Sequence, residues 1–155
     1  MKKLFFDCGT RDATASFGFL VLRVSVGLMM LIGHGIPKIQ NFAKMKDGFP
    51  SPSFIPLNLM SPPISLMACI GGEVVAAGLI IFGLMTRPAA FIFCFTMVVA
   101  AFDIHSADSW FSGKSGASKE LALMYLISIL PLILAGAGRY SLDGLIYKGD
   151  KSRRW

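Results

Sequence analysis

Phe17-Gly18-Phe19-Leu20-Val21-Leu22-Arg23-Val24-Ser25-Val26-Gly27-Leu28-Met29-Met30-Leu31-Ile32-Gly33-His34-Gly35-Ile36 is a run of twenty residues with a single arginine and a single histidine. Crossing the hydrocarbon core of a bilayer takes about 20 mainly apolar residues at roughly 1.5 Å of rise each, so this run predicts a transmembrane helix. In lipid the backbone must satisfy its own N–H and C=O groups, and no stretch alternates as a barrel strand does, so helix is the form expected. Three further runs read alike: residues 64–85, 88–105 and 119–136. The last two are short and borrow flanking residues. The fold class expected is an all-α membrane protein. It is one domain over residues 1–155, an antiparallel bundle of four transmembrane helices with a tail from residue 140 onward.

Composition agrees. Of 155 residues 54% are hydrophobic and only 15% are charged, against about 25% charged in an ordinary soluble domain, and the mean hydropathy is +0.64. The net charge is +6. The basic residues sit at chain ends and in connections, without interleaved aromatics. That pattern fits anionic lipid headgroups and argues against nucleic acid. Cys8, Cys69 and Cys94 form neither a CxxC pair nor a metal spacing. The opening Met1-Lys2-Lys3-Leu4-Phe5-Phe6 begins like a signal peptide but breaks at Asp7, and is read as a retained cytoplasmic end.

The connections differ in kind. Residues 37–63 are rich in proline and cannot be helical throughout. Thr86-Arg87-Pro88 reads as the tight turn between the second and third spans. In the next connection, Trp110 and Phe111 suit a membrane interface. Lys2, Lys3, Arg11, Arg87, Arg139, Lys148, Lys151, Arg153 and Arg154 collect on one side; Lys38, Lys44, Lys46, Lys114 and Lys119 collect on the other. The positive-inside rule then places both termini in the cytoplasm.

Ionisable side chains at membrane depth are costly and call for a partner or a role. Those here are Arg23, His34, Glu73, Asp103, His105 and Glu120. With each helix centred on the midplane, His34, Asp103, His105 and Glu120 fall at one height, roughly 10 to 13 Å toward the outer face. A shared site produces that coincidence, and so do ordinary helix ends. Glu73 lies near the midplane beside a stripe of small residues, Ala68, Gly72 and Ala76, that admits a close neighbour. Two arrangements are open. Arg23 and Glu73 pair, or Glu73 reaches up to the histidine layer while Arg23 snorkels to the headgroups. Plainer readings stand beside these: the Arg23–Glu73 pair ties helices together, the histidines cap helix ends, and Asp103 is interfacial. No two candidate ligands sit three or four apart on one helix, so no metal motif is present.

Taken in order, these pieces resemble the DoxX family of small bacterial membrane proteins nearly end to end. The resemblance rests on Arg23 through Gly27, then Gly33-His34-Gly35-Ile36-Pro37-Lys38, similar to the family's HGxxK ending of its first helix. It continues with Gly72-Glu73, Gly78 and Gly83-Leu84-Met85-Thr86-Arg87, then Ala100 through His105 with Trp110-Phe111. It closes with Glu120 and Gly136-Ala137-Gly138-Arg139-Tyr140-Ser141-Leu142-Asp143, where Ala137 replaces the family's proline. The resemblance implies a four-helix bundle in the bacterial inner membrane, with His34, Glu73, His105 and Glu120 as the positions of interest. It also implies redox work, since some members look like the quinone-reducing subunit of thiosulfate:quinone oxidoreductase.

Two functions of different class follow. In the first, the chain is an oxidoreductase subunit that handles quinone: His34 and His105, with Arg23, contact it, while Glu73 and Glu120 relay protons. No flavin, haem or iron–sulfur motif is present, so another redox protein or a bound donor supplies the electrons. In the second, the chain is a non-catalytic membrane anchor or assembly module whose basic tail, Lys148 to Trp155, docks a partner or acidic lipid.

Overall fold

The computed structural model describes residues 9–10, 12–111 and 118–152. Five helices organise it: α1 (Ala13–Gln40), α2 (Pro62–Phe82), α3 (Thr86–Ile104), α4 (Glu120–Ala135) and α5 (Leu142–Ser152). No strand occurs among the described residues; Ser109 and Ser118 form one isolated bridging pair. Cys8, Arg11, Lys114, residues 153–155 and the side chains from Lys148 onward lie outside the described residues.

Local sequence explains where the helices start and stop. Asp12 caps α1, its carboxylate accepting from the Ala15 N–H at 2.7 Å. Ser61 precedes α2, and Pro62 and Pro63 fill its first two positions, where no intrahelical N–H is needed. Gly83 ends α2 in the left-handed region at φ 66°. The turn between α2 and α3 is Gly83-Leu84-Met85, three residues earlier than Thr86-Arg87-Pro88. Pro88 sits inside the first turn of α3, where its missing N–H costs nothing.

Helix α1 is longer than expected, 28 residues against the twenty of the apolar run, because it passes through Pro37. It does so by widening first. Residues Leu31–Gly35 form a π-helical turn, in which the Ile36 N–H reaches five residues back to the Leu31 carbonyl. Two more such turns occur, Gly71–Ala76 within α2 and Ala100–Ile104 at the end of α3.

Helices α1, α2 and α3 are each long and apolar enough to cross a bilayer. Helix α4 is also apolar but has 16 residues, roughly 24 Å of rise. The core between helices uses small residues, Ala76, Ala77, Ala89 and Ala90, around Met30, Ile80, Phe93 and Ile129. At Gly72 an added Cβ would lie 2.1 Å from Thr96 Oγ1, so α2 and α3 meet there nearly backbone to side chain. The outside is the reverse: Phe17, Met29 and Ile32 on α1, Phe91 and Phe102 on α3, and Ile127 and Leu134 on α4 are exposed. Small residues inside and large apolar ones outside are the arrangement of a helical membrane protein.

Candidate functional site

One end of the bundle is closed by its polar groups. Arg23 is 1% exposed and donates to the Tyr140 carbonyl; its guanidinium lies against Gly83, where a Cβ would collide with it. Asp143, equally buried, accepts from the Met85 and Thr86 N–H groups at 2.8 and 2.9 Å. It thereby caps α3 from a distance, because Met85, at φ 47°, offers no side-chain cap of its own. The Arg139 N–H donates to Ser16 Oγ at 3.1 Å, and the Asp143 N–H to the Gly83 carbonyl at 2.8 Å. The Gly136–Asp143 segment is thus a clasp that ties the start of α1, the α2–α3 turn and the end of α4 together.

The other end holds a cavity of about 750 Å³, within the range of small-molecule sites. Its walls are largely apolar, with Met30, Ile92, Phe95, Met97 and Leu121 among them; His34, Lys38, Cys69, Glu73, His105 and Tyr125 supply polar groups. The π-helical turns explain how these meet. His34 lies within the turn of α1, Glu73 within that of α2, and His105 directly follows that of α3, its N–H reaching back to Ala100. An extra residue per turn rotates the side chains that follow and interrupts the regular hydrogen-bond ladder, a device found at functional sites.

Glu73 is buried and pairs with Lys38, whose Nζ contacts both carboxylate oxygens, Oε2 at 2.5 Å. Cys69 joins them, its Sγ 3.5 Å from Lys38 Nζ and 3.4 Å from Glu73 Oε1. The pair links the far end of α1 to the middle of α2. The His34 ring stands edge-on to Tyr125, centroids 5.7 Å apart. His105 Nδ1 lies 2.7 Å from Asp108 Oδ2, which orients the imidazole.

Of the six ionisable residues singled out in the sequence, the structure brings His34, Glu73 and His105 to one cavity and leaves Arg23, Glu120 and Asp103 out of its lining. Arg23 is at the clasped end, neither paired with Glu73 nor extended to a headgroup. The carbonyl of Tyr140 and the neighbouring Asp143 hold it inside. Glu120 opens α4 but is not part of the cavity lining; height on a helix does not fix the direction a residue faces. Asp103 is neither free nor in the lining: it binds Ser53 of the proline-rich connection. Lys38 was missed. The sequence signal for it was the four-residue spacing from His34, which puts both on one helix face; counting it as a loop charge hid that.

The DoxX family model matches residues 18–106, which hold most of α1, all of α2 and α3, and His34, Lys38, Cys69, Glu73 and His105 of the cavity. The chain belongs to the DoxX family. A Haemophilus influenzae relative, described as an uncharacterized protein, is 37% identical over 152 residues and covers 96% of each chain. A second from the same organism, with the same description, is 33% identical over 130 residues, 82% of this chain and 89% of the relative. A Bacillus subtilis protein named "Putative oxidoreductase CatD" is 30% identical over 138 residues, 87% of this chain and 91% of that one. No solved structure matches the chain.

Proposed function

We propose that this DoxX protein is the membrane subunit of an oxidoreductase and that its cavity receives a quinone. The observation that carries the reading is the pairing of apolar walls with protonatable groups on opposed helices. His34 and the Lys38–Glu73 pair come from α1 and α2, and His105 comes from the end of α3. The likeness to the Bacillus subtilis protein named "Putative oxidoreductase CatD" supports the redox class. A quinone, when bound, takes up two electrons and two protons. The chain's part is to hold the apolar ring and to present donors to its oxygens. His34 and His105 donate ring N–H groups, Asp108 holds one imidazole in orientation, and Lys38 holds the Glu73 carboxylate in place. The apolar walls exclude water, so these hydrogen bonds act in a low-dielectric setting. Electrons arrive from a partner protein or a bound donor.

The same reading makes α4 a fourth span and puts both chain termini, with the clasped end of the bundle, on the cytoplasmic face of the bacterial inner membrane. The contact between Ser16, ahead of the first span, and Arg139, beyond the fourth, supports a shared side. Titration of the purified protein with ubiquinone and menaquinone analogues tests the proposal. Binding should weaken about tenfold in His34→Ala and in His105→Ala, each losing one hydrogen bond worth about 1.4 kcal/mol. Unchanged affinity in both variants overturns it.

A second reading, an assembly module, is favoured by α5. Leu142, Leu145 and Ile146 form an exposed apolar face ahead of a basic sequence. Deletion of residues 148–155 should then release a co-purifying partner, and retention of every partner removes the idea.

A further inference from the structure

The connection between α1 and α2 is not a slack loop. It turns Phe49, Pro50, Pro52, Leu57 and Met60 into the cavity wall, with Pro52 buried. Hydrogen bonds within it and to the first turn of α2 give it shape. Ser65 Oγ donates to the Pro50 carbonyl at 2.8 Å, and Ser51 Oγ donates to the Met60 carbonyl at 3.0 Å. Among the described residues, one side chain of α3 holds its middle. Asp103, from the π-helical turn of α3, accepts from the Ser53 N–H at 2.7 Å through Oδ2 and from the Ser53 hydroxyl through Oδ1. Both carboxylate oxygens are committed to a single residue of the connection, and both bonds are at an exposed position.

Three exposed side chains of this connection are apolar. Ile55 is 80% exposed and Leu59 82%, with Phe54 beside them. Ile39 at the end of α1 and Ile64 at the start of α2 are exposed too, so the apolar surface of the spans continues onto the connection. Trp110 and Phe111, exposed near the same end of α3, are the residue types that settle at the headgroup level. Water is the wrong neighbour for such a surface; the edge of the bilayer is the right one.

We propose that residues 49–60 form a lid lying in the bilayer edge, that the Asp103–Ser53 contact latches it, and that the ligand enters from the lipid when the latch opens. The ligand class is then a lipid-dissolved, largely apolar molecule, taken from the membrane and not from the aqueous phase. The inference rests on the cavity being a ligand site, as above, but its test does not require a quinone to bind.

Cys69 lies on the cavity wall and Cys94 is buried against α4, so the two thiols report on the cavity and on the packing separately. The experiment follows modification of each cysteine by mass spectrometry, as a maleimide thioether or a mixed disulfide, with the protein in lipid nanodiscs. One reagent is lipid-soluble N-ethylmaleimide, and the other is a sulfonate-bearing methanethiosulfonate that stays in water. Asp103→Ala removes the latch, and Ser53→Asp replaces it with two like charges. Both should raise the N-ethylmaleimide rate at Cys69 about tenfold, the loss expected for charge-assisted hydrogen bonds. The sulfonate reagent should stay slow at Cys69, and Cys94 should be unchanged with both. Equal rates in wild type and both variants overturn the lid. Preferential labelling of Cys69 by the sulfonate reagent overturns entry from lipid, and a Cys69 that resists modification in every variant overturns both.

Discussion

The two ends of this bundle use buried polar groups in opposite ways. At the clasped end, Arg23, Ser16 and Asp143 are spent on backbone groups: the Tyr140 carbonyl, the Arg139 N–H and the first N–H groups of α3. At the cavity end, His34, Glu73, Lys38 and His105 contact other side chains and border open space. Backbone partners are always present, so polar groups that satisfy them close a structure. Side-chain partners can exchange protons and shift, so groups that rely on them suit a site. The lesson is that ionisable residues in a membrane helix do not declare their role by depth alone; what they bond to decides it.

Substitutions sharpen this contrast, and the largest effect belongs to the clasp. Arg23→Ala removes the largest fully buried side chain and leaves the Tyr140 carbonyl without its donor. The expected loss is about 3 kcal/mol, read as reduced membrane abundance and a lower unfolding temperature in detergent. Asp143→Ala follows at about 2 kcal/mol, because two N–H groups at the start of α3 lose a charged acceptor. Ligand affinity measured on the folded fraction of either variant should be unchanged. Glu73→Gln should reverse the pattern. The amide keeps the shape and leaves Lys38 with a weaker partner. The unfolding temperature should therefore move little, while ligand affinity falls about tenfold. An Arg23 variant that folds normally but loses ligand, or a Glu73 variant that only loses stability, would break the contrast.

How much of this was legible in the sequence follows from what each signal encodes. Apolar run length encodes a span, so α1, α2 and α3 were found within a few residues. The turn between α2 and α3 was displaced because Thr86-Arg87-Pro88 has turn-like composition. The actual reversal uses Gly83 and a left-handed Met85, a conformation that methionine does not advertise. The site was half legible. Rise per residue assigns His34, His105 and Glu120 a common height, but the azimuth around each helix depends on π-helical turns that no spacing rule foretells. Those turns bring His34 and His105 to the cavity that Glu73 shares, and they carry α1 past Pro37 so that Lys38 is a helix residue. Positive-inside counting treated Lys38 as a solvated charge, which is why its pairing with Glu73 escaped notice. Asp103 was set aside as interfacial; its partner, Ser53, lies fifty positions away, beyond the reach of any local pattern.

The π-helical turns bear on how such a protein changes over generations. Each one accommodates a surplus residue in a helix whose far end is anchored by the clasp. A one-residue deletion inside Leu31–Gly35 or Gly71–Ala76 can be absorbed by reverting to ordinary α-helix, which swings the chemistry-bearing side chain about 100° around the axis. The anchored end would not move. Selection could thus redirect what the chamber accepts through small insertions and deletions, with the half that guarantees folding left untouched.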